Sequence, residues 1–149
     1  MALTFQPLPP DHPLCPASLA LMQVLRPHLA DAERYQAQLQ RQAAQGYRLL
    51  AALEEGEVVG LAGYRELENL LYGRFLYVDD LVVQPARQRD GLGGRLLAAV
   101  RREALERGCS HLILDTGLHM PLAQRFYFRQ GLLARGLHFA ERLSGELPA

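Results

Sequence analysis

Two acidic residues, Asp79 and Asp80, stand side by side in an otherwise apolar, strand-like run from Tyr77 to Val83. Carboxylates in such surroundings are costly to bury without partners. In a pocket, one of them can take a proton from a substrate. Consecutive strand residues point to opposite sheet faces unless a bulge intervenes, so one of the two should reach an acceptor site. Beyond them lies Gln88–Gly94, QRDGLGG, with glycines at 91, 93 and 94. A glycine loop that opens a helix gathers free backbone N–H groups and the positive end of the helix dipole, a ready seat for phosphate or pyrophosphate. The other reactive side chains are scattered. Glu66 and Glu68 either line an acceptor pocket or are solvated. His119 precedes the last predicted helix as a surface or capping residue, and His111 and His138 fall in predicted strands. Cys15 and Cys109 are too few for a disulfide framework and have no metal-ligand spacing, so no metal is expected.

Several elements must hold these residues in place. Leu3–Gln6 alternates as a short strand with Leu3 and Phe5 on one face, ended by Pro7, Pro9 and Pro10. Leu21, Met22, Leu25 and Leu29 predict a helix over about Pro16–Leu29, broken or kinked near its end by Pro27. Asp31 reads as the N-cap of a polar helix, Ala32–Gln45, with Leu39 and Ala43 toward the core and Gly46 as its stop. Tyr47–Leu53, the turn Glu54-Glu55-Gly56 and Glu57–Arg65 predict a hairpin. Glu66–Gly73 is a connection or strand extension, and Arg74–Val83 is the next strand. Gly93–Arg107 is the clearest helix, with Arg101, Arg102 and Glu106 on its wet face. Ser110–Asp115 reads as a buried strand. Pro121–Gln130 is a helix with Gly131 at its end, Leu132–Leu143 a last strand or pair of strands, and SGELPA a frayed tail. The order predicts a single α/β domain over 1–149: a mixed, mostly antiparallel sheet with helices on both faces and a parallel crossover from Tyr77 to Asp115.

Composition narrows the chemistry. The chain has 149 residues, enough for one sizeable core, and a formal net charge of zero, which gives no global pull toward nucleic acid or membrane. Every one of the 16 basic residues is Arg. That excludes Schiff-base lysine chemistry and a Walker-type phosphate loop. No apolar run is long enough to span a membrane, and MALTFQPLPPDH lacks the basic-then-apolar pattern of a signal peptide, so a cytoplasmic setting is expected. A dinucleotide fingerprint also fails, because Gly91 and Gly93 fit but Leu96 stands where the last glycine is needed.

Gln88-Arg89-Asp90-Gly91-Leu92-Gly93 instead matches in full the Gln/Arg-x-x-Gly-x-Gly/Ala motif of the GNAT acetyltransferase superfamily. The strand ending Leu81-Val82-Val83 stands before it, with Pro85 beyond that strand. Ala123–Leu132, AQRFYFRQGL, resembles the second cofactor motif of the same superfamily. Two motifs in the correct order, with matching elements over nearly the whole chain, identify the sequence as similar to that superfamily.

The resemblance implies an acetyl-CoA-dependent N-acetyltransferase acting by direct transfer on a primary amine of a small molecule or protein, with a homodimer as an allowed assembly. A non-catalytic acyl-CoA-binding regulatory module is the alternative. Pantetheine would lie along Leu81, Val82 and Val83, and the amides of Arg89, Asp90, Gly91, Leu92, Gly93 and Gly94 would hold the pyrophosphate. Arg87 or Arg89 would add charge. Tyr127 matches the family's proton donor to the leaving thiolate; otherwise it packs as an aromatic beside Phe126 and Phe128. Asp79 is the first choice for the base that deprotonates the amine and Asp80 the substitute, set against purely structural carboxylates held by backbone or Arg. Met120 departs from the family's usual Asn. The acceptor pocket is expected from the two N-terminal helices and the Glu66–Gly73 connection.

Overall fold

A computed structural model describes residues 2–145, so residues 146–149 of the expected frayed tail lie outside the described residues. Two compact units divide the chain, one running through Leu114 and the other beginning at Asp115.

The first unit is a five-stranded sheet with the strands in sequence order: β1 (Leu3–Pro7), β2 (Arg48–Glu54), β3 (Glu57–Asn69), β4 (Gly73–Val83) and β5 (His111–Leu114). The first three pairings are antiparallel and β4–β5 is parallel. That is the mixed sheet expected from the order of elements. The β2–β3 turn has Glu55 and Gly56 both at positive φ, 52° and 77°, as a tight hairpin requires. Glu66–Gly73 is strand and hairpin rather than a loop. β3 runs on to Asn69, whose side chain accepts from the amides of Leu71 and Tyr72 and closes the turn.

Helices cover both faces. On one face, α1 (Cys15–Leu25) and α2 (Ala32–Ala44) bury Leu21, Met22, Tyr35 and Leu39 against Leu49, Ala51, Leu61 and Val82. On the other, α3 (Leu92–Glu106) buries Leu92, Leu96 and Val100 against Ala62, Leu76 and Val78. Truncating one such leucine to alanine costs about 2–5 kcal/mol. α1 stops at Leu25, earlier than its apolar spacing predicts, because Arg26 precedes Pro27 and is pushed out of helical geometry to ψ 76°. Asp31 caps α2 as expected, accepting from the amides of Glu33 and Arg34.

Two expectations are corrected. β5 is a half-buried edge strand, since no strand among the described residues pairs its outer side. Residues 132–143 form no strand. An apolar run marks surface that seeks burial, but a strand also needs a ladder partner. Here Leu133, Leu137, Phe139 and Leu143 are all exposed. The second unit is built on one helix, α4 (Pro121–Arg129). It ends in a Schellman cap: Gly131 takes φ 89°, Gly131 N donates to Phe128 O, and Leu132 N donates to Tyr127 O.

Candidate functional site

A β-bulge decides where the paired carboxylates go. Gly63 of β3 faces Asp80, but the next residue, Tyr64, faces Val78, so Asp79 is the extra residue on β4. The strict alternation that would send Asp79 and Asp80 to opposite faces is therefore broken. Both line one cavity of about 210 Å³, together with Arg26, His28, Tyr35 and Tyr47. The helical wall of this cavity comes from residues 22–42, within the stretch expected to form the acceptor pocket. The Glu66–Gly73 segment does not contribute; Glu66 is instead paired with Arg74 and Arg107 at 3.3 and 3.5 Å.

Each carboxylate has partners, as burial demands. Arg65 holds Asp79 in a two-bond fork, Nε to Oδ2 and Nη2 to Oδ1, both 2.8 Å. Asp80 accepts from Arg26 Nε on Oδ1 at 3.0 Å and from the Tyr47 hydroxyl on Oδ2 at 2.7 Å. Arg26 also donates through Nη2 to the Asp79 carbonyl at 2.8 Å. One guanidinium, released from α1 by the helix stop before Pro27, thus satisfies the bulged backbone and an adjacent carboxylate together. Tyr47 is buried, and burial followed by the neighbouring Asp80 charge raises its pKa well above the usual phenol value, so it stays a donor. In the same wall, burial pushes Tyr35 to about 12; its hydroxyl shares a 2.7 Å hydrogen bond with Ser18 Oγ.

The half expected to seat an anion lies farther along β4. β5 ends at Leu114, opposite Val78, so residues 79–83 have a β3 neighbour on one edge and no strand among the described residues on the other. Leu81, Val82 and Val83 carry that open edge. A short 3₁₀ turn, Pro85–Arg87, leads into the loop. Arg89 and Gly91 take positive φ, 79° and 86°, and turn the chain into α3. The Asp90 side chain accepts from Leu92 N at 3.1 Å. The amides of Gly93 and Gly94 fall in the first helical turn, where no intrahelical acceptor exists. Arg87 pairs with Asp90 and, at 2.7 Å, with Glu54. Its hydrogen bond holds Asp90 below the usual carboxylate range.

In the second unit, Tyr127 sits on α4 with its ring against Phe126, centroids 5.2 Å apart. Burial raises its pKa, which keeps the phenol protonated at neutral pH. Met120 is the residue just before α4. His138 lies outside any strand, with Nδ1 3.4 Å from Asp115. His111 is in β5 as expected, bonded to Ser110 and stacked near Tyr72.

Sequence reasoning missed Arg26, Tyr47, Gly63 and Arg65. One sign was available: Gly63 interrupts an apolar strand run, which marks close approach of another group.

The model of the acetyltransferase (GNAT) family matches residues 17–132, and the chain belongs to that family. It is 33% identical to an aminoalkylphosphonate N-acetyltransferase of Salmonella typhimurium over 65% of this chain and 62% of that protein. It is 31% identical to an IAA acetyltransferase of Azospirillum brasilense over 85% of this chain and 83% of that one. A solved aminoglycoside N-acetyltransferase in complex with CoA has the same fold, with a TM-score of 0.82 at 17% identity, covering 96% of each chain. The class is thus an acyltransferase.

Proposed function

We propose that this chain moves the acetyl group of acetyl-CoA directly to a primary amine of a small molecule. What carries the proposal is that one strand, β4, adjoins both halves of a transfer site. Its bulge lines the cavity with two carboxylates, and immediately beyond it the strand edge opens toward the glycine loop. The open edge at Leu81–Val83 and the amides of Arg89–Gly94 fit the pantetheine and pyrophosphate parts of the cosubstrate, which supplies the activated thioester. A cavity of about 210 Å³ has room for a small amine. The relatives named for aminoalkylphosphonate and IAA acetylation point the same way.

Asp80 is the better base of the pair. Asp79 has both oxygens held in the fork of one guanidinium, whereas Asp80 faces a guanidinium 43% exposed and a neutral hydroxyl. Asp80 takes a proton from the bound ammonium, directly or through water. The free amine attacks the thioester carbon, whose oxygen is polarised by a backbone N–H among Leu81–Val83. The C–N bond forms, the C–S bond breaks, the nitrogen gives up its second proton to solvent, and Tyr127 gives its phenolic proton to the departing thiolate, regaining one from solvent. The cytoplasmic setting and the homodimer belong to this same proposal. Among the described residues no helix is long and apolar enough to cross a membrane.

An amine panel with CoA release as the readout tests it. Turnover is expected with small primary amines, falling about a hundredfold in kcat for Tyr127→Phe. Acetyl-CoA binding with no turnover on any amine would instead establish a non-catalytic acyl-CoA module.

A further inference from the structure

We infer that Tyr47 and Gly63 are positioning residues for Asp80. The inference rests on the acetyl-transfer reading above and names residues outside the motifs that support it. Tyr47 comes just before β2, far in sequence from β4, yet its hydroxyl donates to Asp80 Oδ2 at 2.7 Å. The ring reaches Asp80 by crossing directly over Gly63, the residue that faces Asp80 in the β3–β4 ladder. A Cβ at position 63 would fall inside the Tyr47 hydroxyl and ring, with even Cε1 only 2.7 Å away. Gly63 is not at positive φ. Its missing side chain is therefore a matter of space, not of backbone conformation.

The three residues act as one device. Bulges re-aim side chains, and a carboxylate beside a bulge needs something to fix its rotamer. Arg26 holds Oδ1 and Tyr47 holds Oδ2, which leaves each oxygen a further lone pair for a substrate proton. Arg26 is partly exposed at the cavity mouth, whereas Tyr47 is 3% exposed. The buried hydroxyl is the more rigid of the two anchors. Tyr47 does not touch the reacting atoms; it aims the group that does.

The test is a set of substitution cycles read as kcat and KM separately, with folding followed by thermal melting. Tyr47→Phe keeps the ring and removes the donor. It should lower kcat about tenfold while the KM for acetyl-CoA stays within about twofold. Gly63→Ala forces the ring away and should lower kcat by a similar factor. If both act through one hydrogen bond, the double variant loses about tenfold, not a hundredfold. Where Gly63→Ala fails to fold, Tyr47→Phe combined with Asp80→Asn serves instead, because once Asp80 is neutral, loss of the hydroxyl should cost no further rate. A Tyr47→Phe enzyme with wild-type kcat, or fully multiplicative losses in either cycle, overturns the inference and leaves acetyl transfer standing. A wild type that turns over no amine overturns both.

Discussion

The segment Leu81–Gly94 and the cavity around Asp79 and Asp80 adjoin on one strand, yet they are built by opposite means. The first is made of backbone: an open strand edge, two residues at positive φ and the amide end of α3, all contiguous in sequence. The second is made of side chains brought from the end of α1, from α2, from the residue before β2, and from β3 and β4. A site of backbone amides serves any cosubstrate with the same phosphate and amide groups. A site of side chains can be remade for each acceptor without altering the loop. On the acetyl-transfer proposal, the anion seat lies in a plain motif, while the acceptor side lies in residues that no motif contains.

The largest effect should come from the cavity. Asp80→Asn keeps the shape and removes the base, so kcat should fall about 10²–10⁴-fold with the acetyl-CoA KM nearly unchanged. Asp79→Asn should lower kcat less and melting temperature more, because it strands Arg65 beside the bulge. Steady-state kinetics and melting curves on both variants separate them; the reverse ranking would move the base to Asp79.

Next in size is an alkaline loosening of the cavity wall. Tyr35 holds its proton to about 12 when folded, against about 10 in an unfolded chain. The unfolded form ionises first, so stability is intact below about pH 10 and declines as pH rises toward about 12, by at most roughly 2–3 kcal/mol. Tyr47, raised in the same direction, adds to the decline. Melting at neutral pH and near about pH 11 should show a smaller drop for Tyr35→Phe than for the wild type. Equal drops would place the alkaline weakness elsewhere.

The smallest effect is expected on the backbone side. Gly91 takes φ 86° with open space where a Cβ would lie, so the obstacle to a side chain is conformation alone. Gly91→Val should cost about 1–2 kcal/mol of loop geometry. It should raise the acetyl-CoA KM about tenfold and leave kcat at saturation near wild type. A fall in kcat at unchanged KM would mean that the loop shapes the acceptor side as well.

The elements were legible wherever their cause is local. Asp31 announces α2, the Glu55-Gly56 turn announces a hairpin, and Gln88–Gly93 announces the start of α3. Local rules misjudged the chain where a distant partner decides. Residues 132–143 have strand-like composition but no ladder. Asp79 and Asp80 share a cavity because Asp79 is a bulge residue, and a bulge is a property of two strands' register. No local pattern marks Arg26, which reaches Asp80 only in the folded chain.

From the sequence alone follow the elements of the mixed sheet with its covering helices, the glycine turn that opens α3 and the family, since each rests on patterns of residue types that can be read along the chain. Tertiary structure alone decided that both carboxylates face one cavity and that Arg65 forks Asp79. It also decided that Tyr47 reaches Asp80 across Gly63. These contacts join residues far apart in the chain, and their geometry is set by sheet register and side-chain volume, quantities that no local pattern of residue types encodes.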